Sequence, residues 1–312
     1  MPPPINRSMN AREWGLLLSL ALLWGCTFFF IAVALRGFPA LTIVLVRLGV
    51  AAVIFHATIA FLGIRLPTDR RAWIAFAQMA ILNNVIPFTL ISWGQTRVAS
   101  GVASILIATT PLFTAVVAHI ATTDEKMTPG RIFGVVVGLI GVAIMIGGSF
   151  FTTLGTDLLG EIALLGAALG YAVSSVFARR FNGMGLTPLV SSTGLFTTST
   201  LMMLPLALIF DQPWTLPLPG ADAVLALLGL GVLGTAVGYM IYFRLAATAG
   251  ATNLMLVTFL MPVTAILLGV TVLGEHLEAR HVVGIALIAV GLAAIDGRLL
   301  RWRRPQAVAP AE

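Results

Sequence analysis

The sequence predicts an all-α integral membrane protein of ten transmembrane helices, arranged as two inverted five-helix repeats. Its composition, a series of long apolar runs and an internal repeat lead to this fold class. Of the 312 residues, 59% are hydrophobic and only 10% are charged, whereas soluble domains carry about 25% charged residues. The formal charge of +6 comes from basic residues scattered singly and in pairs, which form no continuous face for nucleic acid. Membrane lipid is therefore the expected surrounding, and no nucleic-acid partner is expected.

The apolar runs give the number of spans, because one crossing of a bilayer takes roughly 20 apolar residues. The loops and tails between the runs are too short to fold as a soluble domain. In chain order the predicted spans 1 to 10 are Trp14–Leu35, Phe38–Leu62, Ala72–Trp93, Ala99–Thr122, Pro129–Phe150, Asp157–Ala178, Thr187–Phe210, Gly220–Phe243, Gly250–Leu273 and Ala279–Leu299.

The second half of the chain repeats the order of the first. The run from Ala99 to Pro111 is echoed by the run from Gly250 to Pro262, and in each half an acidic residue and a glycine-rich span follow. A repeat of five spans must insert its second copy upside down, and inverted repeats are the architecture of secondary transporters. The predicted organisation is a cytoplasmic tail (1–11), a first repeat (12–150), a second repeat (151–299) and a second cytoplasmic tail (300–312).

Basic residues predict the orientation of the chain, because cytoplasmic loops retain Lys and Arg. With the N-terminus inside, 14 of the 18 basic residues fall in cytoplasmic segments, three fall outside, and Arg47 lies within span 2. Both termini are therefore expected in the cytoplasm. The cytoplasmic set is Arg7, Arg12, Arg65, Arg70, Arg71, Lys126, Arg131, Arg179, Arg180, Arg244, Arg298, Arg301, Arg303 and Arg304, and the outer set is Arg36, Arg97 and Arg280.

Several features together resemble one transporter family. They are the Trp24-Gly25 pair in span 1, Arg47 within span 2, a proline in each of spans 4 and 9, and the Gly274-Glu275 end of span 9. Their order along the chain resembles the EamA branch of the drug/metabolite transporter superfamily, and within it the bacterial exporters of amino acids and related metabolites. The resemblance implies an inner-membrane location and a central cavity lined by spans 1, 3, 4, 6, 8 and 9. It places spans 5 and 10 at the periphery.

Polar side chains in the cavity-lining spans are the candidate substrate-binding residues, because polar groups in hydrocarbon cost free energy and tend to mark pathways. Span 3 contributes Gln78, Asn83 and Asn84, and span 9 contributes Asn253. Their amides offer both donors and acceptors to a substrate that carries an ammonium and a carboxylate. The alternative is that these amides only join helices.

Aromatic residues on the same spans are candidates for contact with the apolar part of a substrate. We expect Trp24 in span 1, Tyr171 in span 6 and Tyr239 in span 8 to have this role.

Three prolines are candidate hinges. Pro87 removes a backbone hydrogen bond to Asn83, and Pro111 and Pro262 interrupt the equivalent spans 4 and 9. A static kink is the alternative for each of them.

Arg47 is a buried charge about 12 Å into span 2 at 1.5 Å per residue. A guanidinium in a membrane needs a partner, and no carboxylate is predicted at its depth. Backbone carbonyls, a lipid phosphate reached by snorkelling and a substrate carboxylate remain as alternatives.

The 12 acidic residues all fall at span ends or in loops, and Glu161 is the deepest of them on a cavity-lining span. Carriers coupled to protons or sodium usually place an acidic side chain in the pathway. The sequence therefore favours facilitated transport, with coupling through His56 or His119 as the alternative.

These residues and the resemblance predict a secondary transporter that exports amino acids or related small metabolites by alternating access. The expected partners are a small-molecule substrate and membrane lipid, and a monomer is the simplest assembly. No cofactor, metal or catalytic residue is expected. Multidrug or cationic-compound export and metabolite uptake are the alternatives. An intramembrane enzyme or a channel ranks last, because the sequence shows no set of nucleophile and base and no filter-like loop.

Overall fold

The regular secondary structure of the described chain is helical. The structure, a computed structural model, describes residues 9–122, 126–147, 156–178 and 184–296, and these ranges contain no strand. Within them, eight helical segments are long and apolar enough to cross a membrane. Two shorter apolar helices, Leu256–Thr271 and Ala279–Ile295, come last. The protein is therefore an all-α, multi-pass membrane protein.

In the first half of the chain, two of the predicted spans are interrupted. Span 3 contains a π turn, Ile81–Val85, and span 4 is broken at Ala108 and Thr109. The helices are α1 (Ala11–Ala34), α2 (Ala40–Phe61), α3 (Arg70–Ala80), α4 (Ile86–Gly94), α5 (Ser100–Ile107), α6 (Thr110–Ala121) and α7 (Pro129–Ile146).

The second half contains a π turn at the equivalent place. This turn, Leu230–Val237, interrupts span 8, and it covers the positions that lie about 150 residues after the first π turn. A short 3-10 helix, Pro213–Thr215, precedes span 8. The helices are α8 (Thr156–Phe177), α9 (Pro188–Phe210), α10 (Ala221–Gly229), α11 (Gly238–Leu254), α12 (Leu256–Thr271) and α13 (Ala279–Asp296).

The connection between spans 8 and 9 differs from the predicted one. The sequence predicted that span 8 ends at Phe243, but α11 continues past Arg244 as far as Gly250. There a φ of 77° breaks the helical path, a conformation that glycine adopts without a steric penalty. The start of span 9 is thus a single turn after Gly250, followed by α12.

Elsewhere, the described ends of the helices lie within four residues of the predicted spans. Some of the predicted features lie outside the described residues. They are the two tails apart from residues 9–11, the span ends Phe150 and Leu299, the acidic residue Glu125, and the basic residues Arg179, Arg180 and Arg298.

Helices α7 and α13 form a pair that is joined by glycines, and we call it the peripheral pair. A Cβ atom added to Gly134 would lie 2.5 Å from the carbonyl oxygen of Gly291, and one added to Gly141 would lie 2.9 Å from that of Gly284. Small residues allow membrane helices to approach this closely. Gly138 instead faces Leu112 of α6. The two helices are therefore joined largely by backbone contact.

The other helices pack in matched sets. Helix α1 packs against α12 and against both helices of span 8, and α8 packs against α6 and α4. Helix α2 packs against α9 and the second π turn, and α9 also packs against α3. Contacts made by a span in one half thus recur for the equivalent span in the other half.

One carboxylate of the second half caps a helix of the first half. Glu275 accepts hydrogen bonds from the backbone N–H of Ser100 (2.7 Å) and of Gly101 (3.0 Å), in the first turn of α5. These N–H groups have no partner within the helix, and a negative charge at a helix N-terminus is favourable. The cap ties the end of span 9 to the start of span 4.

Candidate functional site

The two π turns carry polar side chains to the centre of the bundle. The first π turn contains Asn83 and Asn84, and the second contains Thr235 and is followed by Tyr239. A π turn inserts one extra residue into a helix and is frequently found at functional sites. Asn83 of the first turn contacts Tyr239, which lies two residues after the second turn, between spans 3 and 8.

Asn83 and Asn84 anchor a hydrogen-bond network that joins spans 3, 6, 7 and 8. Asn83 Nδ2 donates to Asn84 Oδ1 at 3.0 Å and to the hydroxyl of Tyr239 at 3.1 Å. Asn84 is fully buried, and its Nδ2 donates to Ser199 Oγ at 2.9 Å. Ser174 Oγ donates to Asn83 Oδ1 at 3.1 Å. We call these five residues the amide–hydroxyl network.

A group of rings, the aromatic wall, borders this network. Its members are Trp24, Phe55, Phe196, Tyr239, Tyr242 and Phe243. The ring of Tyr239 lies edge-on to Phe196 with centroids 5.1 Å apart, and Trp24 stacks on Tyr242 at 5.5 Å. Such pairs attract through their complementary faces and edges. Trp24, Tyr239 and Tyr242 are only half-buried, so the wall borders accessible space.

Arg47 is buried on α2 beside the network. Its side chain is 5% exposed, its Nε donates to Thr235 Oγ1 at 3.2 Å, and its guanidinium carbon lies 3.7 Å from the centroid of the Phe88 ring. Tyr171 and Tyr239 lie within electrostatic range of the charge. Arg47 therefore points into the bundle, and this placement does not favour the alternative of a lipid phosphate.

A cavity of about 750 Å³ opens at one end of the bundle, and we call it the loop cavity. Leu41 in its wall lies six residues before Arg47, and Thr89, also in its wall, directly follows Phe88. At 1.5 Å per residue, Arg47 lies about 9 Å further into the bundle than Leu41. Arg47 is thus placed between the loop cavity and the amide–hydroxyl network. The cavity is lined by residues 35–41, residues 216–220, Thr89, Trp93, Thr96 and Asp211.

Two of the predicted binding residues lie apart from the network. Gln78 on α3 is exposed. Asn253 is buried near the end of α11, and its Nδ2 donates to the carbonyl of Ala249 at 2.9 Å, a bond that spans the break at Gly250. The substrate-binding role of Gln78 and Asn253 stays a prediction. Tyr171 packs against two buried apolar clusters, and its substrate-binding role also stays a prediction.

The three prolines have different local structures. Pro111 lies in the first turn of α6, directly after the break in span 4, whereas Pro262 lies inside the continuous helix α12. Pro87 lies at the start of α4, directly after the first π turn. Equivalent prolines thus coincide with a break in one half and not in the other, and their role as hinges stays a prediction.

Two serines of the network, Ser174 and Ser199, and Thr235, which contacts Arg47, were not predicted from the sequence. Hydroxyls are common in α9, and several of them, such as Thr197 and Thr198, donate to their own helix. Ser199 also does so, yet its oxygen accepts from Asn84 as well. The depth of a residue within its predicted span is a signal that could have indicated this pair, since Ser199 and Asn84 both lie close to the midpoints of their spans.

A bundle of membrane-crossing helices with polar groups in its interior and a cavity at one end is typical of proteins that move small molecules. A model of the EamA-like transporter family matches the chain twice, over residues 13–147 and 158–295. The chain therefore belongs to this family and is a transporter. The resemblance indicated by Trp24-Gly25, Arg47 and the Gly274-Glu275 pair is confirmed.

Full-length relatives carry transporter names. An uncharacterized transporter of Bacillus subtilis, YoaV, is 25% identical over 88% of this chain and 94% of the relative. A probable terminal-alkyne amino-acid exporter of Streptantibioticus cattleyicolor is 27% identical over 95% of this chain and 97% of the relative. A probable amino-acid metabolite efflux pump of Escherichia coli is 26% identical over 95% of this chain and 98% of the relative.

A crystal structure of another protein has the same fold. It superposes with a TM-score of 0.65 over 95% of this chain and 100% of that chain, at 18% identity. At this identity the similarity concerns the fold alone.

Proposed function

We propose that the protein exports amino acids or related small zwitterionic metabolites across the cytoplasmic membrane. The observation that carries this proposal is the amide–hydroxyl network at the centre of the bundle, next to a half-buried aromatic wall. The names of two relatives, an amino-acid exporter and an amino-acid metabolite efflux pump, support the substrate class.

The chemistry of the site suits a zwitterion. The amide oxygen of Asn83 and the hydroxyl oxygen of Tyr239 are both half-buried and can accept hydrogen bonds from an ammonium group. The fully buried Asn84 holds Asn83 in place, and the aromatic wall can pack against an apolar or aromatic side chain. The proposed substrate-binding residues are Trp24, Gln78, Asn83, Asn84, Tyr171, Tyr239 and Asn253, and the proposed hinges are Pro87, Pro111 and Pro262.

The proposed architecture has ten spans in two inverted repeats, residues 12–150 and 151–299, with both termini in the cytoplasm. The double match of the family model and the matched helix contacts of the two halves support it. Alternating access then comes from movement of one half against the other around the central site.

The proposed mechanism is facilitative. The amide–hydroxyl network consists of neutral groups, and the charge beside it is the cation of Arg47. A site of this composition has no carboxylate to exchange protons or to hold sodium ions. Net flux would follow the gradient of the substrate itself.

Flux into liposomes containing the purified protein tests this function. We would measure uptake of radiolabelled neutral, aromatic and cationic amino acids by wild type, Asn84→Ala and Tyr171→Ala, with and without a pH gradient. Ser19→Ala, which removes an exposed hydroxyl of α1, is the control. We expect saturable flux in wild type and the control, no effect of the gradient, and loss of flux in the two site variants.

The other outcomes separate the alternatives. Flux that increases with the pH gradient would replace the facilitative mechanism by proton coupling. Absence of flux for all amino acids, together with transport of cationic dyes, would favour multidrug export.

A further inference from the structure

We propose that Arg47 binds the carboxylate of the transported molecule, so that this protein selects substrates that carry a carboxylate. The inference rests on the proposed function and deepens it, because it names the chemical group that the site recognises. It starts from the hydrogen-bonding capacity of Arg47, which the surrounding side chains leave largely unused.

A guanidinium has five N–H donors, and the protein occupies one of them. Nε donates to Thr235 Oγ1, whereas Nη1 and Nη2 have no hydrogen-bond partner among the described residues, and no carboxylate there pairs with Arg47. These two nitrogens are not among the side-chain atoms that are fully buried without a partner, so they border accessible space. A permanent charge in the membrane interior is costly unless it is paired. The missing partner is therefore an anion that arrives from outside the protein.

The contacts of Arg47 orient it for such a ligand. The ring of Phe88 covers one face of the guanidinium, and Thr235 holds the Nε position. The donors left over are the paired amino groups, which match the two oxygens of a carboxylate in a bidentate bond. An arginine that only joined α2 to span 8 would gain little from this arrangement, because a neutral side chain could make the same single bond at lower cost.

The position of Arg47 fits the rest of the proposed site. Phe88 and Thr235 lie four residues from Asn84 and Tyr239, respectively, which is one helical turn or about 6 Å along each span. A molecule whose carboxylate contacts Arg47 can therefore place its other polar groups against the amide–hydroxyl network. Its apolar part would then lie along the aromatic wall.

Pairs of acids and their uncharged amides test the inference directly. The probes are phenylalanine and phenylalaninamide, leucine and leucinamide, and phenylacetate and phenylacetamide. Binding to purified protein in detergent is followed by tryptophan fluorescence and by the shift in melting temperature. The variants are Arg47→Gln, Arg47→Lys and Arg244→Gln. The last is a control that removes the same charge from an exposed position on α11.

We expect wild type and Arg244→Gln to bind an acid roughly 10- to 100-fold more tightly than its amide, as expected for a charge-assisted bidentate bond. Arg47→Gln should lose this preference while its affinity for the amide stays within about threefold. Arg47→Lys should keep part of the preference, because it retains the charge but not the planar pair of donors.

Equal binding of acids and amides by wild type would overturn the inference, and so would failure of every acid to bind. An equal weakening of acid and amide in Arg47→Gln would assign Arg47 to helix packing alone. Tighter binding of phenylacetate than of phenylacetamide, without any amino-acid flux, would contradict the proposed function but support the carboxylate site at Arg47. Saturable amino-acid flux without a preference for acids would support the proposed function but contradict the carboxylate site. The comparison of acids and amides on wild type needs no variant, so poor folding of Arg47→Gln does not prevent the test.

Discussion

The peripheral pair and the centre of the bundle both join helices, but they do so by opposite means. In the pair, backbone meets backbone at Gly134 and Gly291. At the centre, side chains join the spans, as in the bond from Asn84 to Ser199. In apolar lipid the hydrophobic effect does not drive helices together. Close van der Waals packing and interhelical hydrogen bonds can both stabilise their association instead. The glycine contacts of the pair offer a ligand no side-chain hydrogen bond. At the centre, by contrast, Nη1 and Nη2 of Arg47 have no hydrogen-bond partner among the described residues. A ligand can bind to these unused donors.

The largest expected effect is on folding, in the peripheral pair. Gly134→Leu forces a side chain into the backbone of α13 and should lower the free energy of unfolding by about 3 kcal/mol or more. The measurement is the melting temperature in detergent together with the fraction of monodisperse protein. Gly15→Leu is the matched control, because a Cβ added at Gly15 meets no atom within 4 Å. Equal stability of the two variants would show that backbone contact does not hold the pair together.

The next effect is on transport, at the centre. Asn84→Leu removes the bond to Ser199 and the acceptor for Asn83. We expect flux per folded molecule to fall about tenfold or more, because Asn83 is no longer held in the site. Stability should fall by only about 1 kcal/mol, because two hydrogen bonds are lost and each contributes on average about 0.6 kcal/mol within a membrane. Flux and melting temperature are measured on the same preparation. Thr198→Val, which removes a hydroxyl bonded to its own helix, should leave flux unchanged.

A smaller expected effect distinguishes the contribution of the Tyr239 hydroxyl group from that of the aromatic rings. Tyr239→Phe keeps the contact with Phe196 but removes the oxygen that accepts from Asn83. We expect the affinity for substrate to fall about 5- to 10-fold, as for the loss of one hydrogen bond. Tyr242→Phe keeps the stacking on Trp24 and should bind as wild type does. Affinity is measured by fluorescence titration, and equal losses in both variants would mean that the hydroxyl of Tyr239 has no special role.

The smallest effect is at the start of α7. Thr128 caps this helix by accepting from the N–H of Arg131, and Thr128→Ala should cost about 0.5–1 kcal/mol of stability. Transport by the folded fraction should not change, because the hydrogen bonds that define the amide–hydroxyl network join spans 3, 6, 7 and 8 and not the peripheral pair. A loss of flux in this variant would contradict the separation between the two regions. Chemical denaturation and flux are the two measurements.

Much of the fold could be predicted from the sequence, because hydrophobic runs and the repeat are properties of the chain itself. The all-α membrane fold and the family are confirmed, and the ten spans in two inverted repeats stay a prediction. The π turns within spans 3 and 8 were not predicted. A π turn such as Leu230–Val237 depends on close packing, for example of Gly231 against Val50 and of Gly234 against Thr27, and these contacts arise only in the folded bundle.

The site was predicted in part. Asn83, Asn84 and Tyr239 come together because they lie at similar depths on spans that face the interior. Gln78 is equally polar, but it lies on an exposed face of α3. In a membrane helix the outward and inward faces can both be apolar, so one sequence gives little information on which way a lone polar residue points.

The π turns have a consequence for insertions and deletions. Loss of one residue from an α-helix rotates everything beyond it by about 100°, and in α9 this would turn Phe196 away from Tyr239. A π turn holds one surplus residue, so a deletion inside Leu230–Val237 lets it close into an ordinary turn and leaves the flanking segments in phase. Chains of this fold that differ by one residue in span 3 or span 8 can therefore keep the same inner face, and gaps in their alignment belong at these turns.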